Sequence, residues 1–249
     1  MPGAFGGQLA LVTGAGRRLG RAIAEGLACE GCDVVIHYRS SYQDAEETAK
    51  LVRRRGSRSW TIQADLEDLS AAEGLMQRAV ETAGQPVDIL VNSASIFENS
   101  RLTEFSTENL ERNIRVHAVA PLLLARALAA QSRPAQIVNM LDTRIVDYDK
   151  LHAAYHISKR MLFTLTRMLA RELAPNVRVN GVAPGLILPP DGKDESYLQR
   201  LARDIPLQRH GCAEDIVRAV LFLLQSDFIT GQVIFVDGGQ HMLSNMYGT

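Results

Sequence analysis

The chain has 249 residues, 46% hydrophobic and 22% charged, with a formal net charge of −1. This is the composition of an ordinary globular protein, long enough for one large α/β domain or two small ones around a sizeable core. The near-neutral balance leaves no electrostatic footprint for nucleic acid or an anionic membrane, so neither is expected as a partner.

The N-terminal "MPGAFGGQL" lacks the charged and apolar regions of a signal peptide. The longest apolar run, "VHAVAPLLLARALAA", is interrupted by His117, Pro121 and Arg126, so no segment reaches membrane-spanning length and a cytoplasmic location is expected. Cys29, Cys32 and Cys212 are too few and too scattered for a disulfide framework. Cys29 and Cys32 end a helical pattern rather than start one, so no helix dipole activates a thiol there and no metal site is expected. The basic run Arg53 to Arg58 falls where a surface helix ends, a placement that the dipole favours.

Strand-like and helix-like runs alternate along the whole length. Strands are predicted at 8–13, 33–38, 59–64, 87–92, 136–141, 177–182 and 233–238. They are short, rich in Val and Ile, and apolar on both faces, as strands between two helical layers must be. The rhythm predicts a single Rossmann-type α/β domain over 1–249: a doubly wound, mostly parallel seven-stranded sheet with helices on both faces. Ligands of such sheets bind beyond the carboxyl ends of the strands. One long piece, 188–211, reads as irregular, polar and proline-punctuated; it is either a lid over a substrate or a surface insertion.

"TGAGRRLG", Thr13 to Gly20, joins the first strand to the first helix. Gly14, Gly16 and Gly20 let the backbone approach a pyrophosphate, which the helix N-terminus stabilises. The second strand ends in "HYRSS" with no carboxylate to bind a free ribose. Arg39 and the hydroxyls of Ser40 and Ser41 suit a 2′-phosphate, with Arg17 adding charge from the neighbouring turn, so NADPH is expected over NADH. After the third strand, Asp65 either contacts an adenine amine or caps a helix. After the fourth, Asn92, Ser93, Ala94 and Ser95 leave room for ribose and nicotinamide, or cap a helix in turn. Tyr155 and Lys159, in "YHISK", lie one helical turn apart. An ammonium near a phenol is expected to lower its pKa by roughly one to three units.

Thr13-Gly14, Gly20, Asn92-Ser93-Ala94, Tyr155-x-x-x-Lys159 and Pro184-Gly185 resemble the short-chain dehydrogenase/reductase family in order and spacing, down to "ITGQVIFVDGG" at 229–239. Two departures are informative. Arg18 stands where the family's phosphate turn usually has its second glycine, and Asp142 stands thirteen residues before Tyr155, at the place of the family's catalytic serine. Together with "HYRSS" and Phe97 they resemble the pteridine reductases, and "GAGRRLG", "HAVAP" and "ELAPNVRVNGVAPGLIL" look like the bacterial dihydromonapterin reductase branch.

That resemblance implies an NADPH-dependent reductase of dihydropterins, with weaker action on dihydrofolate, assembled as a homotetramer with the Tyr155 helix at an interface. It implies catalytic roles for Asp142, Tyr155 and Lys159. Cofactor contacts are implied for Gly14, Arg17, Arg18 and Leu19; for His37, Tyr38, Arg39 and Ser40; for Asp65 and Leu66; for Asn92, Ser93 and Ala94; and for Tyr155, Lys159, Pro184 and Gly185. Substrate contacts are implied for Arg18, Ser95, Phe97, Asp142, Tyr155 and Leu188. An aspartate at 142 would repel a developing alkoxide, which argues against a simple ketone. Taken outside the family register, Asp142 reads as a turn cap, Phe97 as a loop anchor and Arg18 as a surface cation. The family's active-site asparagine aligns with His117, which either holds a water through a ring nitrogen or is a satisfied helix histidine. A short-chain reductase of a carbonyl or quinonoid compound and a non-catalytic NADPH-binding protein remain as alternatives.

Overall fold

The computed structural model describes residues 3–190 and 192–243. Seven strands form one parallel sheet: β1 (Leu9–Val12), β2 (Asp33–Tyr38), β3 (Ser59–Gln63), β4 (Ile89–Asn92), β5 (Ala135–Met140), β6 (Val177–Pro184) and β7 (Val233–Val236). Their spatial order is β3-β2-β1-β4-β5-β6-β7. Leu11 pairs with Val35 on one side and Leu90 on the other, so the order reverses at β1 and opens a crevice between the ends of β1 and β4. Each strand lies within two residues of its predicted bounds. β4 starts two residues later than predicted, although Asp88 just before it already bonds both neighbours, its N to Leu9 O, its O to Gln136 N and its Oδ2 to Leu9 N. β6 runs two residues further than predicted, since Pro184 at its end still pairs with Val236 and needs no donor of its own there.

Alternate residues of each strand enter opposite layers. Ala10, Val12, Val34, Ile36, Val91 and Val138 pack with Ile23, Leu27, Val52 and Val220, contributed by helices α1 (Arg18–Cys29), α2 (Tyr42–Arg54) and α8 (Ala213–Gln225). Leu9, Leu11, Val35, Leu90 and Ile137 face the other way, onto Leu75, Leu124 and Leu169 of α3 (Leu69–Ala83), α5 (Ala120–Ala129) and α6 (Ala153–Glu172). Burying both faces at about 25 cal/mol per Å² is what makes a sheet so apolar stable.

Two features go beyond the alternation of strands and helices. The helix after β4 is not regular: α4 (Thr107–Ile114) passes through a π-helical turn at Arg115–Val119 into α5, and His117 sits in that turn. Such turns insert one residue and cluster at functional sites. The 188–211 segment is not irregular throughout, because it contains α7 (Glu195–Ala202), capped by the Asp194 carboxylate on Ser196 N and anchored by buried Leu198 and Ala202. Its apolar spacing was too short to stand out among the flanking prolines. Residue 191 of that segment lies outside the described residues.

Candidate active site

The phosphate turn is assembled by long-range contacts. Thr13 Oγ1 accepts from Ser93 N at 2.9 Å and Ala94 N at 3.0 Å, binding the end of β1 to the end of β4. Gly14 N donates to His37 Nδ1 at 3.1 Å, and the opposite ring nitrogen, Nε2, meets Ala64 O at 3.0 Å. An accepting Nδ1 leaves the proton on Nε2, so His37 is neutral, and burial pushes its pKa down to about 4. His37 was expected to touch cofactor; its side chain is instead buried behind the turn and positions it. Gly14 has φ +64°, and a Cβ there would lie 2.7 Å from Ala94 Cα, so only glycine fits. Helix α1 begins without a side-chain cap or an acidic residue in its first turn, which suits its free N–H groups to a pyrophosphate.

Arg18 adopts φ 53°, the left-handed region that a glycine would occupy without strain. Its Nη2 donates to Pro189 O at 2.9 Å, bridging the turn to the root of the 188–211 segment. Leu19 and Leu188 pack partly buried on the same core layer rather than standing free in the crevice. Arg17 pairs with Asp44 at 3.3 Å and Arg39 with Glu67 at 2.9 Å. Ser40 is exposed beside Arg39, and folding brings to both cations carboxylates that the strand end itself lacks. Glu67 is also gripped by Arg112, whose Nη1 reaches Glu98 at 3.3 Å. Tyr38 packs against Tyr42. Asp65 is exposed and is not a helix cap: its Oδ1 closes a turn onto Glu67 N, while Asp68 caps α3 through Ser70 N and Ala71 N. The Leu66 side chain is buried in the core, so it offers the crevice only its backbone. Pro184 ends β6, and Gly185 passes so close to Asp237 that an added Cβ would lie 2.5 Å from its Cβ.

Across the crevice, Tyr155, Lys159 and Asp142 converge. Tyr155 Oη donates to Asp142 Oδ2 at 2.9 Å, while Asp142 Oδ1 accepts from Arg144 N at 2.8 Å and caps the 3-10 turn Thr143–Val146. Asp142 is thus a turn cap through one oxygen and a partner of the Tyr155 hydroxyl through the other. The start of α6 is fixed from outside, with Ala153 N bonded to Ser100 O at 2.9 Å and Ala154 N to Ser100 Oγ at 3.2 Å. Lys159 Nζ donates to Met140 O at 2.7 Å and lies 5.6 Å from the centroid of the Tyr155 ring. Burial brings the lysine pKa down to about 8. The expected lowering of the Tyr155 pKa is reversed: burial and then the Asp142 charge raise it well above 10, because the carboxylate meets the hydroxyl directly and the ammonium does not. Tyr155 is accordingly a proton-holding phenol.

His117 is a satisfied histidine, and the water-holding alternative is set aside. Its Nε2 accepts from Ile96 N at 3.1 Å and lies 3.0 Å from Ser95 Oγ; its Nδ1 lies 2.8 Å from Ser158 Oγ, which bonds on to Tyr155 O. Accepting at Nε2 places the proton on Nδ1, and burial keeps the ring neutral by pushing its pKa well below 6.5. The ring clamps the 93–96 loop onto α6 and meets Tyr155 edge-on at 5.4 Å. Asn92, whose Nδ2 donates to Asn139 Oδ1 at 2.8 Å, ties β4 to β5 beneath the same site. Phe97 is half exposed, edge-on to Tyr155 at 4.8 Å and stacked on His152 at 3.9 Å. His152, Asp149 and His156 were not singled out from sequence; only the i, i+4 histidine spacing marks them. Cys32 is buried, which pushes its thiol pKa up, and no thiolate chemistry is available there.

Residues 14–241 match the family model described as enoyl-(acyl carrier protein) reductase. Among solved structures, FolM alternative dihydrofolate reductase 1 from Brucella canis, complexed with NADP, is similar with a TM-score of 0.89 and 34% identity, over 95% of this chain and 94% of that one. The 3-oxoacyl-[acyl-carrier-protein] reductase FabG of Staphylococcus aureus is 32% identical over 94% of this chain and 98% of its own. A short-chain type dehydrogenase/reductase of Picea abies is 31% identical over 95% of this chain and 93% of its own. With the phosphate turn, the Tyr155-Lys159 pair and the seven-stranded parallel sheet in place, the chain belongs to the short-chain dehydrogenase/reductase family.

Proposed function

We propose that this protein is an NADPH-dependent reductase of dihydropterins, acting by hydride transfer to a ring carbon of a C=N bond. The observation that carries the reading is the 2.9 Å bond from Tyr155 Oη to Asp142 Oδ2. A ketone needs a neutral donor beside its oxygen, and a carboxylate there opposes the charge that develops. A C=N bond asks for something else: hydride to carbon and a proton to the adjoining nitrogen. A phenol that holds its proton beside a carboxylate is suited to that delivery. Asp142 and Tyr155 act as the proton-delivering pair, and Lys159 supports the Tyr155 ring from below.

The reduced nicotinamide supplies the hydride when bound. Gly14, the start of α1 and the strand ends around Arg17, Arg39 and Ser40 would hold its phosphates, and the NADP-bound neighbour supports this. Phe97, with one face on His152, offers the other to a flat heterocycle. Arg18, held in a conformation that costs roughly 1–2 kcal/mol, brings a guanidinium to the same crevice. A homotetramer is part of the proposal: Ile157, Met161 and Met168 form an exposed apolar stripe along α6.

The test is purified protein with NADPH, followed at the nicotinamide absorbance, offered dihydropterins, dihydrofolate and a panel of ketones and quinones. Turnover of dihydropterins is expected, with Asp142→Ser slowing it by about 100-fold or more. Turnover of ketones or quinones alone would establish the carbonyl reading, and wild-type pterin activity in Asp142→Ser would remove Asp142 from the mechanism. Absence of turnover with every compound would favour a binding protein.

A further inference from the structure

The start of α6 carries a group of side chains that the reduction chemistry does not employ. Asp149, His152 and His156 each offer one ligand atom, and the three atoms lie within 4.8 Å of one another. His152 Nδ1 is 2.9 Å from Asp149 Oδ1, and His156 Nε2 is 3.4 Å from Asp149 Oδ2. Two imidazoles one helical turn apart thus converge on one carboxylate that arrives from the preceding loop. His156 is only 3% exposed; its Nε2 faces Asp149 alone, and its other ring nitrogen, Nδ1, has no hydrogen-bond partner, so the ring is only half satisfied by the protein's own bonding.

We propose that Asp149, His152 and His156 form a binding site for a divalent transition cation of the zinc class. Two neutral imidazole nitrogens and one carboxylate suit zinc, cobalt, nickel or copper, whereas calcium and magnesium prefer all-oxygen shells. Zinc–nitrogen and zinc–oxygen bonds near 2.0–2.2 Å put tetrahedral ligands about 3.3 Å apart. Measured to the shared Asp149 Oδ2, the separations of 3.0 Å from His152 Nδ1 and 3.4 Å from His156 Nε2 bracket that spacing, so small side-chain shifts complete a three-ligand site with a fourth position open. Two features moderate the affinity. Arg144 Nη1 lies 3.7 Å from Asp149 Oδ2, and Asp149 N donates to His156 Nε2 at 3.3 Å, a long bond the ion would displace. The ion would sit behind Phe97: His152 presents its ring face to that phenyl group and its Nδ1 edge to Asp149, so both contacts persist together.

Tag-free protein, cleared of metal by a chelator and dialysed, is titrated calorimetrically with Zn²⁺ and, separately, with Co²⁺ followed by its visible ligand-field bands. One ion per chain is expected, with four-coordinate cobalt bands. The ring resonances of His152 and His156 should move, while those of His37, His117, His210 and His241 stay in place. His152→Ala and Asp149→Asn, at half-buried positions, should each weaken binding by about tenfold or more with an unchanged melting temperature, and His156→Gln should do the same where it folds. Binding weaker than about 1 mM, affinity unaltered in His152→Ala and Asp149→Asn, or resonance shifts at His210 or His241 instead would overturn the assignment. None of these measurements requires a pterin, so a different substrate leaves the outcome readable.

Discussion

Arg18 holds φ at 53° and gives its guanidinium to Pro189 O, at a position where a glycine would be unstrained. Replacing it with glycine relieves roughly 1–2 kcal/mol of backbone strain and forfeits the side chain's exposed interactions, the bond to Pro189 O among them, and some chain entropy. Arg18→Gly is therefore expected to melt at the wild-type temperature or slightly above it. The same variant should raise the KM for a dihydropterin by about tenfold, through loss of a charged contact. A lower melting temperature with unchanged KM would make Arg18 a structural residue only. Tyr155 and Lys159 were marked by their one-turn spacing, whereas Asp142 and Arg18 stood out only as departures from the pattern of the family that the chain resembles. The role of His117 was not legible: its meaning comes from Ser158, Ile96 and Ser95, partners on separate segments that no spacing rule connects. The Tyr155 pKa was misjudged for a related reason. A turn of helix suggests which side chains are neighbours, but which atom faces which, and how deeply, emerges only on packing.

Among the elements, β2, α6 and the π turn are each held by a buried histidine with a lowered pKa, His37, His156 and His117. Burial disfavours the charged ring, so each folded pKa lies below its unfolded value of 6.5. Their stabilisation is complete above pH 6.5 and is lost as the pH falls; for His37 the loss runs down to about 4. A shift of that size corresponds to about 3 kcal/mol for His37. Chemical denaturation at intervals from pH 7 to pH 4 should show stability falling throughout, with a shallower fall in His37→Gln. Equal slopes in the two proteins would assign acid lability to the carboxylates instead. The strands and most helices were readable from periodicity, since a two-faced sheet leaves apolar runs at every strand. Helix α7 was hidden because eight residues with two buried anchors carry too little periodic signal between prolines.

For the whole molecule, no helix among the described residues is long and apolar enough to cross a membrane. Among the exposed apolar side chains, Ile157, Met161 and Met168 recur at helical spacing along α6. If that stripe joins subunits, Met168→Glu should convert a tetramer in sedimentation velocity to a smaller species, because a charge would be desolvated in the interface. A wild-type chain that sediments as a monomer would remove the tetramer from the proposal. The charge chain Arg39–Glu67–Arg112–Glu98 was invisible in sequence because its members are scattered between positions 39 and 112, yet it joins the cofactor side of the cleft to the loop bearing Phe97.

The Thr13 hydroxyl, receiving two amides from the far side of the sheet reversal, has a kinetic corollary. Until β4 has docked beside β1, the nucleotide's cradle does not exist, so half-built chains have nothing with which to grip it. A bound dinucleotide should consequently act as a bolt on the finished protein, slowing its escape to the unfolded ensemble while leaving the pace of assembly untouched. Stopped-flow refolding and unfolding with and without NADPH would separate those two limbs.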